Sequence, residues 1–234
     1  MINTIIKIIT YLASLIKRPK LIKAPPIVKK PTYPPILDRV FEMGFEVISR
    51  GDYHLNIIGV RSAKAEPNRF DDHLYCVYQI GDKWYQHRWN ITTDPGTYWI
   101  ENPTNKLGTA CVVADRQYKG VWQLGKHRGM YRALVQTGNK ISVYRDPNRD
   151  GKYDFDESTI EEGYFGINCH RATTAKGGSI QVDRWSAGCQ VFQYPDDFKQ
   201  FINLCVEQRD LSSKFTYTLL NEWCTMEELE WNNE

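Results

Sequence analysis

Short runs of alternating apolar and polar residues, separated by turn-forming residues, fill most of the chain between residues 45 and 145. Runs that are rich in β-branched and aromatic side chains and bounded by Gly, Pro, Asn or Asp are typical of β-strands. Gly81-Asp82 and Gly138-Asn139 have the composition of hairpin turns. The predicted strands cover residues 45–48, 54–60, 73–80, 84–89, 97–100, 110–114, 132–136, 141–144 and 214–220.

Two segments have a helical pattern. Pro35 suits the first position of a helix, and the apolar residues that follow it lie on one helical face, which predicts a helix over residues 35–43. From Pro195, apolar residues recur at helical spacing behind two acids in the first turn, which predicts a helix over residues 195–205. The predicted fold class is therefore mainly β, with a few peripheral helices.

The first 35 residues differ in composition from the rest. They carry seven of the 30 Lys and Arg residues and none of the 28 acids, so residues 36–234 have 23 cations, 28 acids and a net charge of −5. Residues 1–22 predict an apolar, basic helix. Five prolines in residues 23–35 predict an extended linker. We expect residues 36–234 to form a single domain.

The role of the predicted helix over residues 1–22 is open. Its apolar run is broken by Lys7 and is shorter than the roughly 20 residues that span a bilayer. Its cations follow the apolar run, so a standard secretory signal is not expected. Four interpretations are open for this helix: contact with a membrane surface, a weak signal anchor, docking to a partner, or packing on its own domain. No specific nucleic-acid partner is predicted, because the basic arm has no interleaved aromatic residues.

A histidine and a cysteine end two strand-like runs. In residues 164–170, alternation places Phe165, Ile167 and Cys169 on one side of a strand and His170 on the other. Cys189 ends a turn of small residues where backbone N–H groups would also be exposed. A thiol nucleophile needs a base within reach and donors for the oxyanion that its attack creates. The alternative is a buried, inert thiol and a histidine hydrogen-bonded at a strand end. The six dispersed cysteines predict reduced thiols in a cytoplasmic protein.

His170 precedes Cys189 by 19 residues, and the turn Ser186-Ala187-Gly188-Cys189 follows a small-residue connection. This arrangement resembles the catalytic signature of the L,D-transpeptidase (YkuD-like) family. Upstream, Thr92-Thr-Asp-Pro-Gly-Thr-Tyr-Trp-Ile100 is similar to a Thr-Pro-x-Gly-x-aromatic strand of those enzymes. The resemblance covers about residues 90–192 and implies a β-sandwich or barrel domain. It further implies a catalytic turn containing Ser186, with Cys189 as nucleophile, His170 as base, and N–H groups around Gly188 and Cys189 as oxyanion hole.

The resemblance also implies a substrate. The family acts on stem peptides of bacterial peptidoglycan, which it cuts or joins on the carboxyl side of a diamino acid through a thioester. This chain departs from the family pattern at Ala187, Val191 and Arg171, so its substrate contacts are expected to differ. A glycine-flanked His-Arg pair would bind a substrate carboxylate, or form an exposed loop. The predicted substrate-binding residues are His127, Arg128, Arg171 and Trp185.

The segments around residues 125–136 and 168–171 also resemble proteins encoded by tailed bacteriophages. This resemblance favours a lytic hydrolase of the endolysin kind over a wall-building transferase. We then expect the protein in the host cytoplasm or the virion, with membrane association through residues 1–22.

A different class of function is also open: a non-catalytic virion or surface component, stabilised by calcium, that retains the fold. A zinc site using His170, Cys189 and another thiol is disfavoured, because no ligand pair is locally spaced.

Residues 146–157 match the spacing of a calcium-binding loop. Gly151 at the sixth position permits the sharp turn that such a loop makes. Because both flanks are predicted strands, the paired helices of an EF-hand are not expected. A β-turn rich in Asp, Asn and Gly is the alternative. The predicted ligands of a structural calcium ion are Asp146, Asn148, Asp150, the carbonyl of Lys152, Asp154 and Glu157.

Overall fold

Eight strands close into a barrel, and a three-stranded sheet lies beside them. The structure is a computed structural model and describes residues 33–209 and 212–232. The predicted helix over residues 1–22 and nearly all of the predicted linker over residues 23–35 lie outside the described residues. The prediction of a mainly β fold with a few helices is confirmed.

The elements alternate between strands and a few helices. The helices are α1 (Pro35–Glu42), α2 (Thr97–Glu101) and α3 (Pro195–Arg209), with 3-10 turns at Glu157–Thr159 and Glu227–Leu229. The strands are β1 (Asn56–Arg61), β2 (Asp72–Ile80), β3 (Lys83–Thr92), β4 (Thr109–Val112), β5 (Arg116–His127), β6 (Tyr131–Gln136), β7 (Ile141–Asp146), β8 (Glu161–Gly163), β9 (Cys169–Arg171), β10 (Gln190–Phe192) and β11 (Phe215–Asn221).

The barrel order is β1-β11-β5-β6-β9-β10-β3-β2, closed by pairing of β2 with β1. Two neighbouring pairs are parallel, β1 with β11 and β9 with β10, and the other pairs are antiparallel. The second sheet has the order β4-β7-β8. Parallel neighbours require long connections, and β9 and β10 are joined by residues 172–189, of which Ala172 and Val182 share an apolar cluster with Val191 of β10.

Two apolar clusters hold these layers together. The larger fills the barrel and includes Trp122, which stacks on Tyr217 with ring centroids 4.5 Å apart. Helix α3 joins it through Phe198 and Phe201. The second cluster lies on the outer face of β1 and β2, where α1 buries Ile36, Leu37 and Val40. Burying a large apolar side chain contributes about 1.5–3 kcal/mol. The helices therefore stabilise the barrel from both of its apolar surfaces.

Most sequence-predicted elements are confirmed. The helices at residues 35–43 and 195–205 correspond to α1 and α3, and Gly81-Asp82 forms the hairpin turn between β2 and β3. Cys169 is in the barrel core, as expected from alternation. In the part of the chain that the structure describes, no helix is long and apolar enough to cross a membrane.

Four local predictions are wrong. Residues 45–48 are not a strand, and residues 97–100 are helix α2. The turn at Gly138-Asn139 does not join a hairpin, because β6 and β7 belong to different sheets; both residues instead bond to the backbone at Gly120 and Val121. Strand β5, the longest in the barrel, was not predicted, and it places His127 at a strand end rather than in the turn.

Candidate functional site

His170 and Cys189 lie on one face of the barrel wall. Parallel pairing of β9 with β10 aligns His170 with Val191, and Cys189 immediately precedes β10. Side chains alternate along both strands, so His170, Cys189 and Val191 face outward while Cys169 and Gln190 face the barrel interior. The topology therefore brings together the two residues that the sequence singled out.

The hydrogen bonds of His170 define which of its ring nitrogens is free. Nδ1 lies 2.9 Å from the carbonyl oxygen of Arg171, an acceptor, so Nδ1 carries the proton and Nε2 the lone pair. The ring is 3% exposed. Burial, with the nearby His127, lowers the pKa of His170 to about 3. At neutral pH, His170 is thus an uncharged imidazole with a basic Nε2.

His127, at the end of β5, stacks on His170 with ring centroids 4.0 Å apart. Its Nδ1 is 3.3 Å from Nδ2 of Asn168, whose Oδ1 accepts the Gln136 N–H at 2.9 Å. Because the Asn168 amide donates, Nδ1 of His127 is an acceptor and Nε2 carries the proton. Burial and the charge of Arg128 lower the pKa of His127. The two stacked rings therefore hold opposite tautomers, one offering a base and the other a donor.

The Cys189 thiol is half-buried and has backbone partners. Its Sγ accepts the Asn168 N–H at 3.4 Å and lies 3.5 Å from the Gly166 carbonyl oxygen. Within residues 33–209 and 212–232, no hydrogen bond joins Sγ to a histidine. Burial raises the pKa of Cys189, while the Asn168 N–H and the charge of Arg128 lower it. The resting state is a neutral thiol beside a neutral imidazole, without a preformed ion pair.

The Cys189 turn, residues 186–189, is held by Ser186. Its buried hydroxyl donates to the Cys189 carbonyl at 2.8 Å and accepts the Gly188 N–H at 3.1 Å. In this conformation the Gly188 N–H is therefore engaged by Ser186, and its use in an oxyanion hole stays a prediction. The Cys189 N–H donates to none of the described residues. Gly188 has φ +115°, and a side chain there would overlap the Ala110 carbonyl.

A buried amide supports this turn from inside the barrel. Gln190 donates from Nε2 to the carbonyls of Thr93 and Gly188, both at 3.3 Å, and its Oε1 accepts the Tyr217 hydroxyl at 2.6 Å. Sequence reasoning missed Gln190. The sequence held one signal for it: Gln190 is polar, although it lies on the same inward side of the strand as the apolar Phe192.

The Thr93 side of this network is charged. Arg61 pairs with Asp94 at 2.7 Å, and Asp72 accepts the N–H and hydroxyl of Thr93 at 2.6 and 2.8 Å. All three charged groups are buried. Burial and the neighbouring Asp94 raise the pKa of Asp72 to about 7. Asp72 and Asp94 have only the Arg61 guanidinium between them to balance two negative charges. The two carboxylates therefore retain a proton more readily than exposed aspartates do.

An outer cavity of about 420 Å³ adjoins the histidine pair. We call it the arginine cavity, because Arg128, Arg171 and Arg184 line it and no acid does. All four predicted substrate-binding residues are found there together with His170; sequence reasoning missed Arg184. Cys189 does not line the cavity. Arg128 and Tyr131, which interact electrostatically with the Cys189 thiol, do line it.

The three guanidinium groups make no ion pair or hydrogen bond to other described residues. Two of them lie over aromatic rings: Arg171 over Tyr131 at 3.8 Å and Arg184 over Tyr98 at 3.9 Å. Stacking fixes the planes of these side chains while leaving their N–H groups free. The cavity thus presents oriented donors to an anion, inside a domain whose net charge is negative.

The upstream motif also reaches the site, though not as a strand. Gly96 caps α2, donates its N–H to the Ser186 carbonyl at 2.9 Å, and lies too close to the Asp183 backbone for any side chain. The Trp99 indole donates to the Arg184 carbonyl at 3.1 Å. These contacts turn the chain away from the sheet after β3 and explain why residues 97–100 form a helical turn.

The predicted calcium ligands lie in one segment, residues 146–157: Asp146 is the buried last residue of β7, and the others lie in the exposed stretch that leads to the 3-10 turn opened by Glu157. The loop bonds to itself: the Asp150 N–H donates to Asn148 Oδ1 at 3.1 Å, and the Lys152 N–H donates to Asp150 Oδ1 at 2.9 Å. Across the described ranges, no three His, Cys, Asp or Glu side chains are grouped closely enough to hold a metal in this conformation.

Comparison of the chain with protein-family models, with characterised proteins and with solved structures finds no match to any of them.

Proposed function

We propose that this protein is a cysteine-dependent peptidase or transpeptidase of the L,D type, acting on peptidoglycan stem peptides. The observation that carries the proposal is the placement of His170 and Cys189 on one face of adjacent parallel strands. His170, whose Nε2 is unprotonated, is one of the residues that line the arginine cavity. A free base, a thiol and an anion-binding cavity are the components that acyl transfer to a peptide requires.

The chemistry needs a proton transfer before or during attack. The Cys189 thiol would give its proton to Nε2 of His170 while its sulfur bonds to the amide carbon. Collapse of the tetrahedral intermediate breaks the C–N bond, and the amine leaves with the proton that His170 carried. A thioester remains on Cys189. A second amine completes transpeptidation, or water completes hydrolysis. The Cys189 N–H is the donor available to the oxyanion.

The arginine cavity supports a carboxylate-bearing substrate. Val191 lacks the polar group that the family resemblance would place there, so substrate recognition must come from elsewhere. Arg128, Arg171 and Arg184 together offer planar donors suited to a carboxylate. A stem peptide with a free terminal carboxylate fits this charge, which favours removal of a terminal residue over cutting between crosslinked stems.

The hydrogen bonds of Cys189 bear on the alternative of a non-catalytic structural component. The Cys189 thiol bonds to the backbone at Asn168 and Gly166 rather than to His170. Catalytic hydrogen bonds are often long before substrate binds, so this geometry is compatible with both functions. Action in a lytic phage context stays a prediction from the sequence.

The test is incubation of the purified protein with muropeptides that carry intact tetrapeptide stems, read by mass spectrometry. Loss of a terminal residue, a cut crosslink and an exchanged residue have distinct masses, so one assay separates carboxypeptidase, endopeptidase and transferase activities. Cys189→Ala is the control and should abolish every product. Wild-type protein that is folded and yields no thiol-dependent product would overturn the proposal in favour of the structural alternative.

A further inference from the structure

A buried carboxylate lies at the start of the loop formed by residues 146–157. Asp146 is 0% exposed, and neither of its carboxylate oxygens has a hydrogen bond of normal geometry to a described residue. The backbone N–H groups of Asn148 and Asp154 lie close enough to lower its pKa, but burial outweighs them and the net shift is upward. It is the last residue of β7 and pairs with Thr109 of β4, so the sheet fixes the position of its backbone. An isolated buried carboxylate is costly unless a cation compensates it.

The surroundings of Asp146 indicate what that cation is. Its charged neighbours are the carboxylates of Asp150 and Asp154 in the same loop. None of these three carboxylates, nor that of Glu157, forms an ion pair with a described residue. Four carboxylates, an amide oxygen and a backbone carbonyl at alternating positions form an all-oxygen ligand set with a net charge of −4. Hard cations with high coordination numbers prefer such a set.

We propose that residues 146–157 bind one calcium ion. Asp146 supplies a fixed ligand. The exposed side chains of Asn148, Asp150, Asp154 and Glu157 turn inward around the ion, together with the Lys152 carbonyl. Gly151, with φ +78°, permits the reversal of the chain between them. Calcium suits this loop better than magnesium, because a ligand set that includes a bidentate glutamate exceeds six oxygens, whereas magnesium requires near-ideal octahedral geometry.

The same loop is connected to the Cys189 turn. The Tyr153 hydroxyl donates to the Pro95 carbonyl at 2.8 Å, and the next residue, Gly96, donates its N–H to the Ser186 carbonyl at 2.9 Å. Ser186 in turn bonds to the Cys189 carbonyl. An ion that fixes residues 146–157 would therefore also hold the Cys189 turn in place. This consequence concerns the position of the turn and does not depend on whether Cys189 is catalytic.

Binding is tested with calcium chloride alone by isothermal titration calorimetry on the full chain. We expect one site with a dissociation constant on the order of 10⁻⁶–10⁻³ M. Tm should rise by about 5–10 °C at a calcium concentration 100-fold above that constant. Asp150→Asn and Asp154→Asn change exposed side chains and should fold but bind calcium at least about tenfold more weakly. Glu162→Gln removes the same charge outside the loop and should bind as the wild type does.

The connection is tested by hydrogen–deuterium exchange read by mass spectrometry. Calcium should slow exchange at Gly96 and in residues 183–189 by about threefold or more, and leave the hairpin turn at Gly81-Asp82 unchanged. Tyr153→Phe should keep calcium binding and lose the protection of residues 183–189.

A flat calorimetric titration with an unchanged Tm, or wild-type affinity in both loop variants, would overturn the calcium site. Calcium binding without slower exchange in residues 183–189, or protection that survives Tyr153→Phe, would overturn the connection. Both results are independent of enzymatic activity.

Discussion

The rings of His127 and His170 lie face to face, with centroids 4.0 Å apart and planes inclined by 24°. Their hydrogen bonds give them opposite tautomers: Nε2 of His170 is a base, and Nε2 of His127 a donor. Two stacked imidazoles cannot both be charged without strong repulsion, so His127 adds to the burial that keeps His170 neutral. The pair is therefore suited to general-base chemistry at neutral and mildly acidic pH.

The pH dependence of activity follows from this pair. The pKa of His170 is lowered to about 3, so the base form persists well below the usual histidine range. We expect kcat/KM to be nearly constant from about pH 7 to about pH 5, where an ordinary histidine with a pKa near 6.5 would lose most of its base form. His170→Asn should abolish turnover. His127→Asn removes the second ring and should raise the pKa of His170, which moves the acid limb of the profile upward.

The assignment of His170 as the buried base would be contradicted if kcat/KM of the wild type fell on the acid side with a midpoint near pH 6.5 while intrinsic fluorescence showed that the protein was still folded.

The conformation of Gly188 predicts a large cost for a small side chain. Its φ of +115° and its approach to the Ala110 carbonyl both oppose a Cβ. Gly188→Ala should destabilise the fold by at least about 3 kcal/mol, the sum of backbone strain and overlap. Gly81→Ala is the matched control: its φ is +57° with open space around the Cβ, and it should cost only about 1–2 kcal/mol. Urea unfolding measures both, and equal costs would count against the packing described for the Cys189 turn.

The arginine cavity predicts selective reaction of Cys189 with anions. Iodoacetate should alkylate Cys189 faster, relative to iodoacetamide, than it alkylates Cys224, which is half-buried among acids and serves as the internal reference. We expect a preference of about tenfold that declines with added salt. Arg171→Gln and Arg184→Gln should each reduce it, whereas Arg132→Gln, outside the cavity, should not. Equal reagent preference at Cys189 and Cys224 would exclude an anion site beside the thiol.

The buried Asp72 predicts a component of stability that weakens as pH rises. Its pKa is raised to about 7, so the folded state holds a proton that the unfolded chain releases near pH 4. Its contribution is complete below the unfolded pKa and is lost as pH rises through about 7, with a slope of up to about 1.4 kcal/mol per pH unit. His170 has the opposite slope below its ordinary pKa, so a variant is needed to separate the two.

Asp72→Asn should be less stable at about pH 5 because one of the bonds from Ser62 and Thr93 loses its acceptor, at a cost of about 1–3 kcal/mol. The deficit should narrow toward about pH 7. A deficit that stays constant across that interval would show that Asp72 carries no extra proton in the fold.

Local patterns predicted those parts of the fold that depend on local interactions. Helices α1 and α3 follow from apolar spacing, and the β2–β3 hairpin from its two-residue turn. The family resemblance implied a sandwich or a barrel, but the strand order that closes the barrel could not be predicted, because β1 pairs in parallel with β11 across most of the chain and no local pattern encodes that contact. Strand β5 was missed because Gly120 and Gly125 interrupt its alternation; the Val135 side chain on β6 occupies the space that a side chain at Gly125 would need.

The candidate site was predictable as a set of residues and not as a geometry. His170, Cys189 and four residues that line the arginine cavity, His127, Arg128, Arg171 and Trp185, follow from motif and charge, whereas Arg184 does not. The hydrogen bond from the Gly188 N–H to the Ser186 hydroxyl depends on a turn geometry that the sequence does not specify. Gln190 and Tyr217 meet inside the barrel only after it closes.

The central claim is that Cys189 becomes acylated by a stem peptide. Intact-protein mass spectrometry, after rapid mixing with a tetrapeptide stem and acid quenching, should show a mass increase equal to the acyl portion, located on Cys189 by peptide mapping. The adduct should be absent from Cys189→Ala and from His170→Asn. Folded wild-type protein that forms neither this adduct nor any product with tetrapeptide or crosslinked stems would contradict the account.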